Sequence, residues 1–271
     1  TVEGCTFKEP YRYGIVTRGI TGTTVISRNH FIGTGDTKQA IYMTTGDGQP
    51  LDGGSLEIAY NSHTGGGHFF LVDFWGWDEV NPMDLVIAHN SVDDIGDRKG
   101  VVFYAAYAKD PLGFDKFSPI DIHDNIFSNC GQAVFVDYDT GADDVTVPDD
   151  GQIVVRNNLA YNISSDADDT MDPTGAYGYD DAGKEPAGAS MAMFDLQDNS
   201  VGDPLYDDPN HDGICFEYWA LQSGSPAMST AASDRSEGAC RLPGSAKHLP
   251  AQTPHHYSTH PDSVNKNNPL R

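Results

Sequence analysis

A chain of 271 residues with a net charge of −24, in which 16 Lys and Arg face 40 acidic residues, repels nucleic-acid phosphates and is a poor partner for DNA or RNA. No run approaches the roughly 18 consecutive apolar residues of a membrane-spanning helix. Of the acids 33 are Asp, a composition that suits dense salt, where ions screen self-repulsion; the plain alternative is a soluble acidic surface.

Taken in chain order, short β-branched runs end each time at one polar mark. Val2–Gly4 precedes Cys5, Val25–Arg28 precedes Asn29, and Leu56–Tyr60 precedes Asn61. Leu85–His89 precedes Asn90, Ile120–Asp124 precedes Asn125, and Ile153–Asn157 precedes Asn158. The steps between marks are 24, 32, 29, 35 and 33 residues, a repeat with variable loops. No helical period fits, and the runs predict strands. Asn tolerates the left-handed region, so each asparagine is expected in a tight bend. Stacked inward, the amides would bond one another in a ladder, whereas a lone buried amide would be costly.

Behind each mark the pattern predicts a brief strand, a Gly-rich or charged turn, and a longer apolar strand. The longer strands are expected at Tyr13–Arg18, Gln39–Thr44, His68–Asp73, Gly100–Ala105, Gln132–Asp137 and Ser190–Asp195. Long loops follow most of them, and parallel strands joined by returning coils are the economical topology. Thr1 aligns with Asp121 of the fifth coil, so the chain is expected to open inside a strand, with earlier coils processed away or lying in an absent segment. The stretch Ser164–Ala189, rich in Asp, Gly and Pro, predicts a mobile or calcium-ordered loop. Residues 1–230 form the expected solenoid, and 231–271 an extended polar tail packed on it or on a partner. Cys215 and Cys240 could close a ring worth about 3 kcal/mol; Cys5 and Cys130 are expected as buried thiols.

This repeat resembles the right-handed parallel β-helix proteins of the pectin-lyase-like superfamily, over roughly residues 1–200. Val201–Met228 also resembles a terminal coil common in such proteins, with its DP turns and the Leu221-Gln222-Ser223-Gly224-Ser225-Pro226-Ala227 end. The resemblance implies an all-β, right-handed parallel β-helix of about six coils plus a terminal coil. It also implies a groove along the longer strands.

Period-two alternation, with Ile15, Ile41, Phe69, Val101 and Val134 inward, puts Val16, Tyr42, Phe70, Val102 and Phe135 outward in that groove. The next outward row is Arg18, Thr44, Val72, Tyr104 and Asp137. Such a row lacks the clustered carboxylates of calcium-dependent lyases and the paired aspartates of glycosidases. Ring stacking on sugars, a face covered by loops or another chain, and a slipped register all remain open. Candidate stacking residues are Tyr42, Phe70, Tyr104 and the loop rings Trp75 and Trp77. Candidate catalytic groups are the cations and imidazole at the groove edge: Lys38, His68, Arg98, Lys99 and Lys109. One of these could take a proton α to a carboxylate, unless they merely offset nearby Asp.

Asp208, Asn210 and Asp212 space oxygen ligands as in the first half of a calcium loop, but the pattern fails further on, where Glu217 stands at the tenth place and not the twelfth. A turn explains the spacing more simply. The tail imidazoles His248, His255, His256 and His260 could hold a transition metal. Two functions follow as expectations. One is an extracellular, carbohydrate-binding or polysaccharide-degrading protein, lyase-like if catalytic. The other is a non-catalytic component of a surface fibre, adhesin or viral tail spike, joined to other chains through the groove face and the open first coil.

Overall fold

The computed structural model describes residues 1–18, 20–33, 39–44, 53–73, 82–104, 114, 117–138, 147–166, 168–180, 188–206, 221, 222 and 224–227. The chain divides into a unit Thr1–Arg241 and a unit Leu242–Arg271; the second lies outside the described residues, as do Cys215 and Cys240. Among the described residues no helix is long and apolar enough to cross a membrane.

Unit one is a parallel β-helix whose strands recur in threes and stack into three seven-stranded sheets. The first sheet holds Val2–Glu3, Thr23–Ser27, Ser55–Ala59, Asp84–Ala88, Ile120–His123, Ile153–Arg156 and Phe194–Gln197. The second holds Thr6–Lys8, His30–Ile32, Ser62–Thr64, Ser91–Asp93, Ile126–Cys130, Leu159–Ile163 and Ser200–Val201. In the third, Tyr13–Thr17, Gln39–Thr44, Phe70–Asp73, Val101–Tyr104, Val134–Asp137 and Tyr177–Asp180 run parallel. Asp169–Met171 closes its edge antiparallel. Alternation accounts for the core: Ile26, Ile58, Ile87 and Ile122 are register partners along the first sheet, and all are fully buried.

The asparagine ladder is present and longer than the repeat indicated. Asn29, Asn61, Asn90, Asn125 and Asn158 are buried. Each Oδ1 from Asn61 onward accepts the backbone N–H and the Nδ2 of the asparagine one coil earlier, at 2.9–3.1 Å. Asn199 adds a sixth rung, accepting both donors of Asn158 at 3.0 Å. Cys5 closes the other end, its N–H donating to Asn29 Oδ1 at 3.0 Å, but its thiol is exposed rather than buried.

The bend itself departs from expectation. The left-handed residue is the one before Cys5 and before each asparagine: Gly4, Arg28, Tyr60, His89, Asp124, Asn157 and Asp198 have φ between +51° and +67°. Backbone turned this way sends the asparagine amide inward and leaves the preceding side chain at the outer corner.

Two further expectations fail at the C-terminal coils. Residues 194–197 form a first-sheet strand paired with Ile153–Arg156, not a third-sheet strand. The third-sheet strand is Tyr177–Asp180, inside the stretch expected to be a loop. Asp172 organises its entry, its carboxylate accepting the backbone N–H groups of Thr174, Ala176 and Tyr177 at 3.0–3.1 Å. Beyond it, Tyr206 bridges Leu221 antiparallel and packs with Ala227 on Ile126 and Leu159, on the outer face of the second sheet. Buried Ser225 ties this segment down, donating to Pro204 O at 2.5 Å.

Candidate functional site

The third sheet carries a cleft of about 380 Å³. Its position follows from register. Ile41, Phe70, Val101 and Val134 are partners and point inward, so Tyr42, Leu71, Val102 and Phe135 share the outward row. The third coil is therefore shifted by one residue from the expected alignment. Phe70 is fully buried in the core and cannot stack on a ligand, because a one-residue slip exchanges faces. The same shift replaces Val72 by Asp73 in the next outward row, which becomes Thr44, Asp73, Tyr104 and Asp137.

That substitution changes the chemistry available. Asp73 and Asp137 both line the cleft, with Tyr104 on the strand between them. Two inter-strand steps place their Cα atoms ~9.5 Å apart. The Tyr42 hydroxyl donates to Asp73 Oδ2 at 2.5 Å and fixes its direction. Burial first, and Asp73 second, push that hydroxyl well above the usual tyrosine range, so it keeps its proton and remains a donor. Tyr13 stacks on Tyr42 with centroids 4.4 Å apart and planes within 9°, and the Arg12 guanidinium lies 5.1 Å over Tyr13. Gln39 and Arg98 complete the polar rim. Aromatic faces, carboxylates and guanidinium groups thus converge on one concavity.

His68 lines the cleft but not as a base. The Lys99 backbone N–H donates to its Nδ1 at 3.1 Å. Burial, reinforced by Lys99 and Arg98, depresses its pKa to about 3. The ring is neutral, Nδ1 is occupied, and the remaining proton sits on Nε2, where it can only be donated. Lys99 extends its ammonium 4.7 Å over the Phe135 ring. The outward row is itself well covered, Val102 and Phe135 being 1% and 2% exposed; Leu71 and Val102 form the cleft floor.

Of the residues expected at the site, Tyr42, His68, Arg98 and Tyr104 are brought together. Lys38, Lys109, Trp75, Trp77 and the calcium candidates Asp208, Asn210 and Asp212 lie outside the described residues. Sequence reasoning missed Arg12, Tyr13, Gln39 and Asp73. A signal for the last was there: Phe70-Leu71-Val72-Asp73 repeats the Val-Asp ending of Val134-Phe135-Val136-Asp137, and aligning those endings restores the register. Comparison with family models, curated proteins and solved structures returns no match, so the cleft has to be understood from its own chemistry.

Proposed function

We propose that the third-sheet cleft binds a polysaccharide chain and hydrolyses it, as a distant representative of the pectin-lyase-like β-helix proteins. The observation that carries this reading is the carboxylate pair, Asp73 and Asp137, set two strands apart on a cleft floored by apolar side chains and flanked by stacked tyrosines. An inverting glycosidase needs one carboxylic acid to protonate the leaving oxygen and one carboxylate to activate water, about 6.5–9.5 Å apart. The stacked Tyr13–Tyr42 pair supplies an aromatic wall for sugars. Arg12, Arg98 and Gln39 supply donors for hydroxyl or uronate groups. β-Elimination is the weaker chemistry here, since His68 has no free acceptor nitrogen facing its proton-abstraction role. The Asp-rich surface supports action outside the cell in a salty medium.

The test is release of reducing ends from neutral and uronate polysaccharides, at low and at molar NaCl. Wild type should cleave at least one, and Asp73→Asn or Asp137→Asn should each lower kcat by at least ~100-fold with binding retained. Unsaturated, ultraviolet-absorbing products from wild type would instead assign a lyase. Cleavage of nothing together with stable self-association would instead favour the second reading, a structural component of a fibre.

A further inference from the structure

The outer corner between the first and second sheets holds a cluster that the cleft does not use. One donor atom from each of His89, His123 and Asp124 lies within 4.8 Å of the other two. Local structure explains the convergence. His89 and Asp124 occupy the left-handed corner position of successive coils, which stacks their side chains on one edge. His123 is the last residue of its strand, in register with Ala88, whose methyl group leaves room for the larger ring to lean towards His89. The backbone locks the pair, His89 N–H donating to His123 O at 3.2 Å.

We propose that His89, His123 and Asp124 form a site for a divalent transition metal, zinc being the natural occupant. Two imidazoles and one carboxylate are the donor set of zinc, cobalt and nickel sites, and nitrogen donors select against calcium and magnesium. Ligands bonded at ~2.0–2.2 Å to a tetrahedral ion stand ~3.3–3.6 Å apart. An ion would draw the three donors in from within 4.8 Å of one another and open the 2.6 Å His123 Nδ1–Asp124 Oδ2 contact to that distance.

The surroundings hold the ligands in place. Tyr60 stacks on His89, with centroids 4.7 Å apart and planes within 16°. On the other side Arg156 grips both oxygens of Asp121, at 3.2 and 2.8 Å, and Asp121 Oδ2 lies 3.8 Å from His123 Nε2. Carboxylates beside ligating imidazoles orient the ring and raise its basicity. The competing explanation is an ordinary ion pair between His123 Nδ1 and Asp124 Oδ2, 2.6 Å apart. That ion pair does not include His89, so the experiment separates the two explanations through His89.

Titration calorimetry with Zn2+ and visible absorption with Co2+, on the full chain in excess Ca2+, read the site directly. Wild type should bind one ion at this site, with the cobalt spectrum of a tetrahedral or five-coordinate complex. His89→Gln and His123→Gln keep planar side chains at the corner and should each weaken that binding at least about ten-fold. Replacing His248, His255, His256 and His260 together by alanine should leave it intact. Absence of stoichiometric binding by wild type overturns the proposal. So does binding that survives both glutamine variants, or that disappears only with the four tail histidines. Circular dichroism of each variant separates loss of a ligand from loss of the fold.

Discussion

Replacing Asn90 by alanine removes an inner rung of the ladder, and the cost can be worked from its bonds. Its Nδ2 donates to Ile58 O and to Asn125 Oδ1, both at 2.9 Å. Its Oδ1 accepts the Asn61 backbone N–H at 2.9 Å and Asn61 Nδ2 at 3.1 Å. Four buried bonds at a net ~1 kcal/mol each give ~4 kcal/mol, and the Asn61 N–H is then left facing an apolar void. A loss of about 3–5 kcal/mol is a large share of the ~5–15 kcal/mol that holds a domain together. Asn90→Asp keeps the shape but turns an oxygen towards Ile58 O and Asn125 Oδ1, so it should be at least as damaging at neutral pH. Asn29→Ala should cost less, because its Oδ1 serves only the N–H of exposed Cys5. Urea titration followed by circular dichroism measures each as a shift in midpoint at constant slope. A loss below about 1 kcal/mol for Asn90→Ala would refute the reasoning that the stacked amides stabilise the coils.

His63 lies fully buried in the lumen in register with Phe31 and Val92, and burial depresses its pKa to about 3. It is neutral in the fold and protonates near 6.5 in the unfolded chain. Its contribution is therefore intact above pH ~6.5 and is lost at up to ~1.4 kcal/mol per unit as pH falls towards about 3. His63→Phe should flatten the acid limb of a stability–pH profile by about one proton; an unchanged slope would show that another group carries it. Gly100→Ala should destabilise by about 1–3 kcal/mol in a thermal melt, since a Cβ there would meet Phe127 Cδ1 at 2.4 Å and Ala133 O at 2.6 Å. Phe70→Ser should cost at least ~3 kcal/mol, as deletion of a buried ring does, and Leu71→Ser clearly less; the reverse order would restore the slipped register.

The architecture was legible because the repeat is written in asparagines, each at the end of a β-branched run, a local pattern that survives loops of any length. Five rungs follow from that pattern alone. The sixth, Asn199, was obscured by an insertion, yet Asp195-Leu196-Gln197-Asp198-Asn199 repeats the Asp-x-x-Asp-Asn of Asp121 to Asn125. Recognising it would also have moved the third-sheet strand back to Tyr177–Asp180. The site was harder to find. Which side chains face the cleft depends on parity, and Phe69 and Phe70 are adjacent rings that satisfy an inward position equally well. Only the neighbouring coils decide, by pairing Phe70 with Ile41 and Val101. One residue of slip exchanged Asp73 for Val72 and made an acidic row look apolar. The His89–His123–Asp124 cluster was invisible for a related reason: His89 stands 34 residues from His123 in sequence and meets it only once the coils are in register.

The most direct test of the cleft is a crystal structure of Asp73→Asn, fold intact, soaked with an oligosaccharide of the polymer that wild type cleaves or, failing cleavage, binds. Sugar rings should lie along the third sheet against Tyr13 and Tyr42, with the glycosidic oxygen between positions 73 and 137 and a guanidinium of Arg12 or Arg98 on a ring substituent. A saccharide seated on another face, or a third sheet that stays bare at saturating ligand, would contradict the assignment.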